Sequence, residues 1–285
     1  MKPVMPLLLP IGALLIAIVS IQAGASFAKS LFPVLGAEGT NAVRLIFGAL
    51  VLTCVLRPWR ARINARNWQM VTLYGIILAG MNLTFYLAIE RIPLGISAAI
   101  QFIGPLAIAI FASRRRLDFL WVALAAGGLL LLLPIETDMP ALDPIGVLCA
   151  LGAALGWALY IIVGKRAGAE HGSFTPALGM IIAAIVLLPM GGVEAAHLLT
   201  LDLLPLAFMV AMLSSAIPFA FEMIALRRLT ALTYGTLTSL EPAIGALAGL
   251  VILHEALSPL QWLAVLLVVC ASIGTTLTMP TNKAR

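Results

Sequence analysis

Apolar runs follow one another through almost the whole chain, separated by short polar gaps. They extend from Leu7 to Phe27, Thr40 to Leu56, Trp68 to Ala88, Pro93 to Ala112 and Phe119 to Ile135, then from Pro144 to Gly164, Phe174 to Gly192, Leu203 to Glu222, Leu232 to Leu253 and Pro259 to Met279. A helix that crosses a bilayer needs about 20 apolar residues. Each run reaches that length, some only with an interfacial flank. The pattern predicts an all-α integral membrane protein with ten transmembrane helices.

The polar gaps set the orientation. Lys2, then Arg57, Arg60, Arg62 and Arg66, then Arg114, Arg115 and Arg116, then Lys165 and Arg166, then Arg227 and Arg228, and finally Lys283 and Arg285 fall at the ends or in every second gap. Of the 17 lysines and arginines only Lys29, Arg44 and Arg91 are left over. Cytoplasmic loops collect positive charge, so both termini are expected inside. Glu38, Glu90, Glu136, Asp138, Asp143, Glu194, Asp202 and Glu255 occupy the opposite gaps and agree with that frame.

A shift of 137 positions pairs Pro105 with Pro242, Arg91 with Arg228 and Ala88 with Ala225 at matching points of a helix–loop–helix unit. The chain then reads as two five-helix repeats, residues 1–138 and 139–285. Five is odd, so the second copy is upside down relative to the first, the architecture of secondary transporters with a site near the midplane. Both copies place a proline deep in a span, Pro105 in the fourth and Pro242 in the ninth. Proline frees a backbone carbonyl, which membrane helices tolerate where the break is buried or lines a cavity. A passive kink is the plain alternative; the favoured reading is a paired break that shapes a substrate site.

Polar residues at helical spacing inside a bilayer must face protein or water, so they trace a cavity. Span one carries Gln22, Ser26 and Lys29; span two Asn41, Arg44 and Gly48; span three Asn82 and Tyr86. Span four carries Ser97, Gln101 and Gly104 before its proline, and span nine carries Tyr234, Thr238 and Glu241 at the same spacing, with Ser239 beside them. Span six adds Trp157 and Tyr160, and span eight Ser214, Ser215, Pro218 and Glu222. Spans five and seven have no such stripe and span ten only scattered hydroxyls, so these are expected at the back, facing lipid or a second subunit.

Glu241 is the sharpest single residue, because a charge at a helix centre costs about 2.5 to 3.5 kcal/mol on insertion scales. Proton carrier, partner of a substrate ammonium and structural hydrogen-bond donor all remain open roles. Glu222 is the second proton-coupling candidate, although Arg227 and Arg228 close by also suggest an interfacial ion pair. Arg44 and Lys29 are the cations that enter spans; they either snorkel to the outer headgroups or, for Arg44, attract a substrate carboxylate. Trp157 and Tyr160 share a helix side with Gly152, Gly156 and Gly164, so close packing competes with cavity lining.

With 62% hydrophobic and 10% charged residues and a mean hydropathy of +1.11, the chain has no room for a soluble domain of ordinary size. Its pI of 9.4 reports loop charge facing anionic lipid, not a nucleic-acid partner. Cys54, Cys149 and Cys270 lie in three different spans and read as packing residues, without a disulfide or metal. No GxxxxGK[ST], HExxH or GxSxG is present, so an ATP-driven pump and a zinc or serine hydrolase are unsupported, no enzyme is expected, and no cofactor is implied. Lys2, Leu7 to Val19 and Ala23-Gly24-Ala25 have the outline of a cleaved signal peptide. Its removal would take the first member from the repeat, and the uncleaved reading is preferred.

Three strings carry a family likeness: Ser20 to Pro33 (SIQAGASFAKSLFP), Arg166 to Gly172 (RAGAEHG) and Phe221 to Ala243 (FEMIALRRLTALTYGTLTSLEPA), the last holding Ser239-Leu240-Glu241-Pro242. The chain resembles, over essentially its whole length, the drug/metabolite transporter superfamily with two EamA domains, and within it the bacterial branch that exports threonine and homoserine. The resemblance implies ten helices, an inner-membrane location and export of small amino acids driven by the proton gradient, with Glu241 as the matched acid. The first copy has Gly104 where the second has Glu241, so the halves differ in charge. A zwitterion would find partners in Glu241 and Arg44, and Gln101, Asn82, Ser239 or Thr238 could meet its hydroxyl. A drug or nucleobase exporter of the same fold, or a channel or membrane scaffold, would share this topology.

Overall fold

The computed structural model describes residues 5–60, 65–92, 94–113, 115–132, 143–241, 243–244 and 259–278. Every regular element among them is helical, and the helices fall on the apolar runs. α1 (Met5–Ala28) passes through a 3-10 turn into α2 (Phe32–Leu56), and α3 (Ala65–Arg91) follows. α4 (Leu94–Gln101) and α5 (Ile103–Ala112) divide the fourth run; α6 (Arg116–Leu132) occupies the fifth and α7 (Pro144–His171) the sixth. α8 (Thr175–Leu187) is followed by α9 (Gly192–Leu198), a short helix in a gap where the hydropathy pattern announces none. α10 (Leu204–Ala211), a π-helical turn (Met212–Ala216) and α11 (Ile217–Arg228) continue one another on the eighth run. α12 (Ala231–Leu237) opens the ninth run and α13 (Pro259–Leu277) forms the tenth. Pro242, Gly245 and Gly249 lie outside the described residues.

Five segments are long and apolar enough to cross a membrane: Leu8–Leu56, Trp68–Arg91, Pro144–Glu170, Gly172–Met190 and Leu204–Arg228. Ser97–Ala112 and Trp262–Ala271 are shorter apolar helices.

Local chemistry explains the ends. Prolines open α7, α8 and α10 in their first turns, where the missing N–H has no intrahelical partner to lose, whereas Pro218 lies inside the continuous run from α10 to α11. Asp143 caps α7: its carboxylate accepts from the Ile145 N–H at 2.8 Å and pairs with Arg91 at 3.2 Å. The backbone bond from Ile145, with Arg91 adding to it, holds the Asp143 carboxyl below its ordinary range. Gly172 at φ +63° stops α7 and Gly36 at φ +67° kinks α2, conformations that only glycine adopts without strain.

Small residues set the helix crossings. A β-carbon on Gly156 of α7 would stand 2.9 Å from that of Met81 on α3, and one on Gly75 of α3 would stand 2.5 Å from that of Ile182 on α8. Such approaches are what glycine provides between membrane helices. α6 and α13 pack together, the Trp121 ring covering Gly274 and its Nε1 donating to Thr278 Oγ1 at 3.0 Å. The core runs through Tyr74, Leu78, Phe102, Tyr160, Met180, Phe219 and Leu226.

α8 corrects the expectation that stripe-less spans form the back. It packs against both α2 and α3, with Thr175 to Met180 buried without a gap. Burial against protein does not require polarity, and small apolar residues such as Ala177, Gly179 and Ala183 serve the contact. The polar stripe reports water or a cavity, not burial itself.

Candidate functional site: a polarised cavity between the helices

A cavity lies among α1, α2, α3, α4, α7, the π-helical turn, α11 and residues 238 and 241. Its wall is mostly apolar, from Leu14, Ala17, Ile18 and Ile21 on α1 and from Met81, Phe85, Trp157 and Phe219. Into this wall are set Gln22, Arg44, Asn82, Tyr86, Gln101, Ser214, Glu222, Thr238 and Glu241. Spans five, seven and ten contribute no lining residue among those described.

Arg44 is 2% exposed, so it does not snorkel to the headgroups; Lys29 is the exposed one. The π-helical turn explains how a guanidinium is held there. The turn shifts the hydrogen-bond ladder, and Pro218 supplies no N–H to the Leu213 and Ser214 carbonyls upstream of it. The Leu213 carbonyl accepts from Ser20 Oγ at 2.6 Å, and the Ser214 carbonyl accepts from Arg44 Nη1 at 2.8 Å. Nη1 also donates to Ser215 Oγ at 3.1 Å, Nε to Asn41 Oδ1 at 3.2 Å, and Nη2 to Asn82 Oδ1. The Tyr86 ring lies under the guanidinium at 4.5 Å. Gly24 and Gly48 let α1 and α2 close on the turn: β-carbons there would each stand 2.7 Å from the β-carbon of Ser214 or Ser215.

Among the described residues Arg44 therefore has neutral acceptors only. The single ion pair among the described residues is Arg91–Asp143. Of the five guanidinium N–H donors, four are engaged among the described residues, which leaves one on Nη2 for a ligand in the cavity.

The acids lie toward the other end. Glu222 is buried, accepts from the Tyr234 hydroxyl and makes no ion pair among the described residues. This overturns the interfacial salt bridge with Arg227 and Arg228. Glu241 faces the same cavity within electrostatic reach of Glu222, and its backbone carbonyl accepts from Gln22 Nε2 at 2.7 Å. Gln22 thus holds the Glu241 backbone two residues along α1 from the Gly24–Ser214 contact, while the Glu241 carboxyl lies within electrostatic reach of Glu222 and of Tyr234. Glu222 is eight residues from Ser214, about 12 Å further on.

The fourth run breaks at Phe102, and the ninth turns at Thr238 and Ser239, equivalent positions in the offset of 137 between Pro105 and Pro242. Pro105 is buried and supplies no N–H to the Gln101 carbonyl. α12 crosses α5 where a β-carbon on Gly235 would meet the Pro105 carbonyl oxygen at 2.7 Å. At Gly104 a side chain would run into the Ala154 backbone of α7. That contact accounts for the lack of a side chain at position 104, which stands 137 residues before Glu241.

Other sequence candidates lie off the cavity. Ser26 Oγ bonds the Gln22 carbonyl at 3.1 Å, Ser239 Oγ the Thr236 carbonyl at 2.5 Å, and Tyr160 is fully buried behind Trp157. Thr238 lines the cavity but gives its proton to the Gly235 carbonyl at 2.9 Å. Gln101 has no side-chain partner among the described residues. Sequence reasoning passed over Ser20, Gly24 and Tyr74; a glycine opposite a Ser-Ser pair would have been the signal for the first two.

An all-helical chain with membrane-length apolar helices around a polarised internal cavity is a membrane transporter of small solutes. This chain belongs to the EamA-like transporter family, whose model matches residues 144–277; it is a transporter and not an enzyme. It is 50% identical over 276 residues to the threonine/homoserine exporter RhtA of Salmonella typhimurium strain LT2, covering 96% of this chain and 94% of that one. The protein of the same name from Escherichia coli K12 is 49% identical over the same shares. The uncharacterized transporter YwfM of Bacillus subtilis is 26% identical over 240 residues, 80% of each chain. A solved crystal structure shares the fold with a TM-score of 0.73 at 18% identity, covering 94% of this chain and 96% of the other.

Proposed function

We propose that this protein exports small hydroxy amino acids, threonine and homoserine, across the bacterial inner membrane by proton-driven alternating access. The observation that carries the reading is one cavity lined by both Arg44, which makes no ion pair among the described residues, and the carboxyl-bearing Glu241. An α-amino acid carries its two charges on neighbouring atoms of one end, so Arg44 would take the carboxylate and Glu241 the ammonium. Gln101 is the free amide for the side-chain hydroxyl. The names of the RhtA relatives, at about half identity over nearly the full chain, point to the same solutes.

The architecture we infer is two inverted five-helix repeats, residues 1–138 and 139–285, with both termini inside. Packing supports it, because exchanging each span for its counterpart five places on converts one neighbour pair into another. α1 packs on α11 as α7 packs on α3, and α10 packs on α2 as α3 packs on α8. α5 against α12, and α6 against α13, map onto themselves. The family model falls within the second repeat. Rocking of one repeat against the other about the paired breaks before Pro105 and Pro242 would expose the site alternately.

The test is efflux of preloaded radiolabelled threonine from cells that express the protein, with homoserine, a nucleobase and a cationic drug as competitors. Faster efflux that homoserine slows supports the assignment. Efflux slowed by the nucleobase or the drug, but not by homoserine, would move the protein to another solute class.

A further inference from the structure

The cavity holds two carboxyls, and a solute with one ammonium needs one. Glu222 is the one whose side chain is held by a protein donor; the Glu241 side chain has no hydrogen bond among the described residues, and its carbonyl alone is bound by Gln22. The Glu222 α-carbon lies about 12 Å along the eighth run from that of Ser214, whose carbonyl holds Arg44. The surroundings of Glu222 are built. Tyr234 of α12 donates to it, and the Tyr160 hydroxyl of α7 lies beside it. The Tyr74 ring of α3 stands 5.4 Å from the Tyr160 ring, between centroids. Among the described residues the buried Tyr74 and Tyr160 hydroxyls lie near each other and near Glu222 without closing a full hydrogen bond, which sets hydroxyls next to a carboxyl. Gly164 and Gly179 make the room for the Tyr74 ring, so the pocket for these rings is set by the backbone of two helices.

Among the described residues no cation pairs with Glu222. The titratable groups facing it are Tyr160, Tyr234, Tyr74 and Glu241; the faces of α1, α8 and the π-helical turn packed against α11 bring none. Lys165 is engaged by the Leu229 carbonyl at 3.1 Å, and buried Met223, Leu226 and Leu229 fill the helix end between Glu222 and the exposed Arg227 and Arg228. A carboxyl held by hydroxyls, open to the transport cavity and lacking a fixed counter-charge is a site for a mobile one. Two ionised carboxyls in one low-dielectric cavity repel each other, so a substrate ammonium at Glu241 and a proton at Glu222 are electrostatically linked.

We propose that Glu222, with Tyr234, Tyr160 and Tyr74 around it, carries the counter-transported proton, at a position separate from the substrate's ammonium partner Glu241. This rests on the export reading above. The step is a plain acid–base one: a proton from water on the outer side adds to a Glu222 carboxylate oxygen, the cavity reorients, and the proton leaves to water on the inner side. Substrate moves the other way on Arg44 and Glu241.

Purified protein in proteoliposomes separates the two roles. Wild-type threonine flux is the control, and its absence would sink the export reading, not this one. Glu222→Gln is expected to keep exchanging labelled for unlabelled threonine while losing acceleration by a pH gradient; Glu241→Gln is expected to lose exchange itself. Tyr234→Phe should displace the midpoint of the pH dependence of transport without moving the threonine KM. Gradient-driven uptake that survives in Glu222→Gln, or exchange lost in a Glu222→Gln protein with the wild-type melting temperature, overturns the proposal. Should that variant fail to fold, Glu222→Asp decides: a displaced pH midpoint supports the assignment and an unmoved one overturns it.

Discussion

Removing the Arg44 guanidinium should erase the protein's ability to tell an amino acid from its amide. In the structure four of its five N–H donors are engaged by Asn41, Ser214, Ser215 and Asn82, leaving one for a ligand. A hydrogen bond to a charged group contributes about 1.5 to 3 kcal/mol, which is about 10- to 150-fold in affinity. Wild-type protein should therefore bind threonine about 10- to 150-fold more tightly than threonine amide. In Arg44→Met, threonine should fall to the level of the amide, and the preference should vanish. The comparison is a double-mutant cycle with the ligand as one partner, so general damage to the site cancels. Damage is expected, since the Ser214 carbonyl and Asn82 would each lose a partner at about 1 to 3 kcal/mol; the melting temperature in detergent reports it. Arg44→Lys keeps the charge and should keep part of the preference. Calorimetric titration of the purified variants supplies the affinities. A threonine-over-amide preference that survives in folded Arg44→Met would refute the carboxylate role.

Four further outcomes follow from the same geometry. Gln101→Leu should weaken threonine by about 2- to 12-fold, one neutral hydrogen bond, and leave 2-aminobutyrate, which lacks the hydroxyl, unaffected; competition uptake measures both. Tyr86→Leu should cost about 0.5 to 2 kcal/mol of the cation–π contact with Arg44, whereas Tyr86→Phe, which keeps the ring, should melt within a degree or two of wild type, roughly. Gly104→Ala should destabilise strongly, by about 1 to 3 kcal/mol as an overpacking change, because its methyl runs into the Ala154 backbone. Asp143 has its carboxyl held low by the Ile145 N–H and Arg91, so its contribution to stability is present above the ordinary carboxylate range and is lost as pH falls through the lowered value. Melting curves of Asp143→Asn between neutral and acid pH should therefore lose part of the acid dependence seen in wild type.

Most of the helix positions were legible in the chain because the hydrophobic pattern reports the solvent directly: a run that must face lipid cannot contain charge. The breaks at Phe102 and at Thr238 to Ser239 were legible for a related reason, since proline removes a specific hydrogen bond wherever it stands. The polar stripes located Gln22, Arg44, Asn82, Tyr86, Gln101, Trp157 and Glu241 on the cavity. They failed where polarity has a local use: Ser26, Ser239 and Thr238 give their protons to carbonyls three or four residues back, as hydroxyls in helices do. The burial of α8 was hidden because apolar packing in protein and apolar packing in lipid use the same residues. The π-helical turn left no reliable mark, since it depends on what Gly24 and Gly48 allow from the other side. Glu222 was underrated for want of knowing that its helix turns it inward to Tyr234, away from the two arginines that follow it in sequence.

The most direct test of the account is radiolabelled threonine movement in proteoliposomes of the purified protein under an imposed pH gradient, with homoserine as competitor. Saturable flux that the gradient accelerates and homoserine inhibits is the predicted result; correctly inserted protein that moves threonine no faster with the gradient than without it would contradict the proton-driven mechanism, and protein that moves neither amino acid would contradict the substrate assignment.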